Sequence, residues 1–220
     1  MLSRYLPNLP LDRRNYWKDA WRGKVMAEFL ISLRETAEKL PIKAIESWDP
    51  PLNEYIPELI KTIKVYQPET YSQIEPILQA LQPFLASLPE RVKSFNHGDF
   101  HPLNILWGDK TMVGVVDWEF CGLKPQLYDT ANMVSCLGME KPEALLEKMT
   151  VSFIQELYRG KHFLHDEWAS LVELMVVLRF GWLSEWFRKK DAEMVELEIT
   201  YMQFLLQYKV ELLTRWGIEK

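Results

Sequence analysis

Apolar residues recur every four positions through the first long segment: Trp17, Trp21, Val25, Phe29, Leu33 and Ala37 share one helical face. The spacing predicts a helix over residues 14–40, stopped by Pro41. Residues 41–69 are rich in proline and read as a loop with one short helix over 57–65. A further helix is expected over 72–88, kinked by Pro76 and Pro83. Residues 92–95 form a short extended entry to His97. Residues 104–107 and 112–118 read as two strands joined by the turn Gly108-Asp109-Lys110-Thr111. Helical periodicity then returns over 125–137, 142–158, 165–188 and 192–216, with Lys189-Lys190-Asp191 as a break. The pattern predicts an α+β fold that is predominantly α-helical, with a small central β-hairpin.

Composition narrows the classes. With 220 residues the chain suffices for one domain or one large lobe. Its net charge of −5 and its lack of a Lys/Arg block argue against a nucleic-acid partner. Nine tryptophans point to a core built on large aromatics. The two cysteines, Cys121 and Cys136, form no CxxC pair, so neither a zinc site nor a disulfide framework is indicated and a reducing cytoplasm is expected. The N-terminus lacks an apolar stretch of signal-peptide length. The most apolar later run, residues 171–183, contains Glu173 and Arg179 and is too short and too charged to span a bilayer.

One polar cluster has demanding spacing, and it sits at the hairpin. His97-Gly98-Asp99-Phe100-His101-Pro102-Leu103-Asn104 leads into a strand, and Asp117 follows Asn104 by thirteen residues. A hairpin of that length returns the chain to its start, so Asp99, Asn104 and Asp117 can converge. Two carboxylates and an amide oxygen make a hard-oxygen site suited to Mg²⁺ carrying phosphates. Phosphoryl transfer needs such a metal and a carboxylate to position the acceptor hydroxyl. In the kinase pattern four residues separate the Asp from the Asn, and a second Asp follows a strand, as here.

Together with Val116-Asp117-Trp118-Glu119-Phe120 and Tyr128-Asp129, this segment resembles the aminoglycoside phosphotransferase and choline kinase superfamily, of protein-kinase-like fold. The resemblance covers residues 2–133 in motif order, and the later helices fit in kind. It implies that residues 1–220 form the C-terminal, catalytic and acceptor-binding lobe, with residues 1–12 resembling the interlobe hinge. It implies ATP-dependent phosphorylation of a hydroxyl on a small-molecule substrate, with Mg²⁺ or Mn²⁺. Asp99 would be the catalytic base, with His97 bracing its loop. Asn104 and Asp117 would hold the metal and nucleotide, with Glu119 as an auxiliary group. Asp129 and His101 would support the loop. Leu103 and Lys124 depart from the commonest pattern, Gly and Asp respectively.

The family's N-terminal lobe supplies a glycine-rich phosphate cover and a strand lysine. Before Gly98 the only glycine is Gly23, and neither Lys43 nor Lys64 follows a strand pattern. The expectation is a chain that alone binds ATP–Mg²⁺ weakly and turns over slowly or not at all, and that hides Leu2, Tyr5 and Leu6 by homodimerisation or by pairing with a separately encoded lobe. Two rival readings stay open. One is a non-catalytic remnant that keeps a small-molecule or partner-binding pocket. The other is a metal hydrolase with zinc on His97, Asp99 and His101, completed by His162 or His165. Trp182 and Trp186 lie one helical turn apart, which ordinary packing explains more simply than a quaternary-ammonium box.

Overall fold

The computed structural model describes residues 5–40, 51–160 and 162–218. Pro41, Lys43 and residues 2–4 of the hinge-like segment lie outside the described residues. The first helix, α1 (Ala20–Ala37), follows a 3-10 turn at Tyr16–Lys18. It packs along α5 (Lys148–Arg159), which buries Met149, Phe153, Ile154 and Leu157. Gly23 permits this approach, because a Cβ there would lie 2.1 Å from the Met149 carbonyl oxygen.

The segment expected to be mostly loop is more ordered than its prolines suggest. Helix α2 (Leu52–Tyr66) begins five residues before the expected start at 57, and α3 (Pro68–Ser87) follows after one residue. Ile56 and Ile63 are buried about one and three turns into α2, so its apolar face overrides Pro57. Pro68 opens α3 at a position where a missing N–H costs nothing. Helix α3 continues through Pro76 and Pro83, burying Ile74, Ile77, Leu81 and Phe84.

The centre holds two hairpin-like pairs, not one. Strands β2 (Ile105–Trp107) and β3 (Met112–Val115) form the expected hairpin, with Ile105 opposite Val115. A second antiparallel pair joins β1 (Lys93–Asn96) to β4 (Gly122–Pro125), with Asn96 opposite Gly122. Strand β4 carries Gly and Pro at its two ends and no alternation, so its sequence gives no strand signal. The hinge-like segment runs beside β2, where the Leu9 amide donates to the Trp107 carbonyl at 2.7 Å.

The helical remainder is assembled on α7 (Leu171–Lys189), which is buried around most of its circumference. Helices α4 (Tyr128–Glu140) and α8 (Ala192–Gln207) flank it. The expected segment over 165–188 divides into α6 (His165–Trp168) and α7, and that over 192–216 divides at Tyr208 into α8 and α9 (Lys209–Trp216). The break after α7 is a left-handed Lys190, followed by Asp191 accepting from the Met194 amide at 3.1 Å. Trp17, Trp107, Trp168 and Trp216 are buried, in keeping with the aromatic core expected from composition. Inside this bundle Arg179 and Glu198 form a buried ion pair, to which Trp186 adds an N–H donor at 3.0 Å. Among the described residues no helix is long and apolar enough to cross a membrane.

Candidate active site

The loop after β1 is held from below. The buried carboxylate of Asp129, in the first turn of α4, accepts from the His97 amide at 2.7 Å and the Gly98 amide at 2.8 Å. Its own amide donates to Asn96 Oδ1 at 3.2 Å. Burial raises the Asp129 carboxyl to about 6, against the opposing pull of those two amides. Gly98 has φ of +90°, and a Cβ would stand 2.0 Å from the Phe120 carbonyl oxygen. No side chain fits that turn.

His97 joins the two halves of the site. Its Nδ1 accepts from the Asp99 amide at 3.2 Å, which leaves the proton on Nε2 to donate to the Val116 carbonyl at 3.0 Å. Burial lowers its pKa and keeps the ring neutral. Val116 in turn donates its amide to the Asn104 carbonyl at 2.9 Å. Trp118 is anchored by its indole N–H on the Val115 carbonyl at 2.9 Å and packs 4.5 Å from the His97 ring.

Asp117 lies between these two fixed neighbours. The sequence places it at the end of a strand, but β3 stops at Val115 and Asp117 adopts φ of +68° in the turn beyond. A left-handed aspartate is uncommon and costs conformational energy. Held so, its backbone stays at the Asn104 end of the hairpin while the residue is exposed. Glu119 is exposed in the same turn.

Asp99 is gripped on both oxygens. Asn104 Nδ2 donates to Asp99 Oδ2 and to its backbone carbonyl, both at 2.9 Å. Asn132 Nδ2 approaches Asp99 Oδ1 at 3.3 Å. His101 Nδ1 accepts from the Leu103 amide at 3.2 Å, so its Nε2 faces Asp99 Oδ2 at 3.4 Å. Burial would raise the Asp99 carboxyl, but His101, Asn132 and Asn104 outweigh it and the pKa falls below the usual range. Asp99 is therefore a carboxylate at neutral pH. With its Nδ2 committed to Asp99, Asn104 keeps Oδ1 as a donor toward a cation.

Asp99 opens onto a cleft of about 440 Å³, walled by residues of α2, β4, α4 and α7. That size matches a small molecule.

The family model of the phosphotransferase enzyme family (APH) matches residues 6–164. The chain belongs to this family. Among solved structures it is similar to an amicoumacin kinase in complex with AMP-PNP and Ca²⁺, at TM-score 0.64 and 12% identity over 92% of this chain and 63% of that one. It is also similar to a GDP complex of an aminoglycoside 2′-phosphotransferase, at TM-score 0.61 and 12% identity over 87% and 64% of the two chains. A third likeness is to a choline/ethanolamine kinase family protein from Mesorhizobium loti, at 0.63 and 13% over 91% and 68%. At these identities the likeness shows the kinase-like fold. The chain spans 63% and 64% of the length of the first two. No curated protein sequence matches it.

Within this phosphotransferase family member, the zinc arrangement considered from sequence has no geometric support. Both His97 nitrogens are engaged within the protein, and His165 pairs with Tyr158 at 2.7 Å. Among the described residues no three His, Cys, Asp or Glu side chains are placed to hold a metal. The stacked Trp182 and Trp186 do not form a shared box either, because only Trp182 lines the cleft. Asn132 and Asn96 were not singled out from sequence. Asn132 stands three residues after Asp129 and so shares its helix face, a spacing that marks it as a neighbour of the same loop.

Proposed function

We propose that this chain carries the site for transferring the terminal phosphoryl group of ATP to a hydroxyl of a small molecule. The observation that carries the reading is Asp99: an ionised carboxylate fixed on both oxygens at the edge of a ligand-sized cleft. Held there, it can accept a hydrogen bond from an acceptor hydroxyl, align that oxygen for in-line attack and take the proton as the new bond forms. Its low basicity suits late proton uptake, because phosphoryl transfer asks little of a base until the bond to phosphorus is nearly made.

The donor set fits Mg²⁺ or Mn²⁺. Asn104 offers an amide oxygen and Asp117 a carboxylate, both hard donors, with Glu119 as a further carboxylate in the same turn. When bound, the ion would neutralise charge on the nucleotide phosphates. Calorimetry of ATP with Mg²⁺, against the same titration on Asp117→Ala, tests this assignment. At millimolar nucleotide, metal-dependent heat lost in the variant supports it, and the same metal-dependent heat in both proteins refutes it. The exposed Tyr5, Leu6 and Leu9 are the face we assign to a second copy of this chain. Sedimentation that reads only monomer across micromolar concentrations would refute that pairing.

A further inference from the structure

The cleft beside Asp99 has a chemical character of its own. Leu52, Ile56, Leu88, Leu123, Val177 and Leu178 line it with apolar surface. Its described charged residues are Lys93, Lys124, Asp99 and Glu185. Glu185 is already committed: Arg188 donates to both its oxygens at 2.7 and 2.6 Å, and Lys189 stands 3.2 Å away. A cationic ligand approaching Glu185 therefore meets two cations. Polycations such as gentamicin would also meet Lys93 and Lys124, which line the same cleft.

A quaternary ammonium would find two of the four described aromatic side chains that line the cleft, Tyr55, Phe120, Tyr128 and Trp182, already beside a cation. Such a cation is held by open aromatic faces. Here the Trp182 ring already has the Arg179 guanidinium 5.6 Å from its centroid. The Tyr128 ring has the Lys124 ammonium at 4.9 Å. A second cation on either ring would be repelled by the first.

We propose that the acceptor is a hydroxyl compound with a largely apolar body and no positive charge, neither a polycation nor a quaternary ammonium. This rests on the phosphotransferase reading above. The apolar body fills the α2–α7 side of the cleft and brings one hydroxyl to Asp99. The hydroxyl oxygen bonds to the terminal phosphorus of a nucleoside triphosphate, the bond from that phosphorus to the bridging oxygen breaks, the proton passes to Asp99, and a nucleoside diphosphate leaves.

Gly181 on α7 provides the probe. It lines the cleft, and a Cβ there meets nothing within 4 Å, so Gly181→Phe starts its side chain from open space and takes volume from the cleft. The full chain and this variant are titrated with 2-naphthylethanol, gentamicin and choline, and each mixture is assayed for label transfer from γ-labelled ATP with Mg²⁺. The expected result is binding of the naphthyl alcohol that weakens at least about tenfold in Gly181→Phe, with no binding of the two cations. Tighter, Gly181-dependent binding of gentamicin or choline overturns the acceptor class and leaves phosphotransfer intact. Absence of alcohol binding, or binding indifferent to Gly181→Phe, also overturns it. Gly181-dependent alcohol binding with no label transferred supports the apolar cleft and sinks the phosphotransferase reading instead. Arg188→Gln with Lys189→Gln is an independent check on exposed residues. Freeing Glu185 should give the cleft measurable choline affinity, and no gain would count against the argument from its committed carboxylate.

Discussion

Asp129→Asn separates the loop-holding role of Asp129 from the cost of burying its charge. The wild-type carboxyl rises from its ordinary 3.8 to about 6 in the fold, mainly through burial. Below about pH 4 it is protonated in both states. Between about 4 and 6 the unfolded chain has released its proton while the native chain retains it, so stability falls as pH rises through that window. The gap corresponds to about 3 kcal/mol of native stability lost on full ionisation. Asparagine has no such titration. It also turns an N–H toward either His97 or Gly98, leaving one buried amide donor unpaired at a cost of about 1–3 kcal/mol. The variant should therefore be clearly less stable than wild type at about pH 4 and within about 2 kcal/mol of it at about pH 7. Urea midpoints at both pH values, with constant slopes, measure this difference. Titrations remote from the loop, such as the depressed carboxyl of Glu185, are shared by both proteins and cancel. A destabilisation independent of pH would refute the reasoning.

Gly98→Ala should cost at least about 2 kcal/mol, because a left-handed alanine is strained and its methyl meets the Phe120 carbonyl. Wild-type urea stability in that variant would show that the turn is not so constrained. Arg179→Met strands Glu198 in the interior and should destabilise by about 3–5 kcal/mol, while adding Glu198→Leu should recover most of it. Equal stability of the single and double variants would contradict the burial argument.

How legible the site was depends on which residues act through chain-local geometry. Asp99 and Asn104 belong to one short loop, so their spacing alone places them together, and the Asn104 amide does reach Asp99. Asp117 was harder. Its sequence continues an apolar strand through Val116, whose amide still bonds to Asn104 in the register of the hairpin, yet the chain turns left-handed at Asp117, which no residue pattern signals. Strand β4 was illegible, because its pairing with β1 is set by the loop between them and its own residues, Gly122 and Pro125 among them, carry no alternating pattern. Helix α2 shows the converse: local proline signals limited the expected helix to 57–65, and burial of Ile56 goes with its start at Leu52. The acceptor cleft was unreadable because its lining comes from α2, β4, α4 and α7, which meet only in the folded chain.

The central claim is that Asp99 serves phosphoryl transfer to a small-molecule hydroxyl. The most direct measurement incubates wild type and Asp99→Asn with γ-labelled ATP, Mg²⁺ and a pool of small hydroxyl compounds, and follows label into organic product. Asp99→Asn keeps the shape of the side chain, and circular dichroism verifies that it folds. The account predicts slow label transfer by wild type at millimolar ATP and about 10²–10⁴-fold less with Asp99→Asn. A folded Asp99→Asn protein that transfers label at the wild-type rate would contradict it.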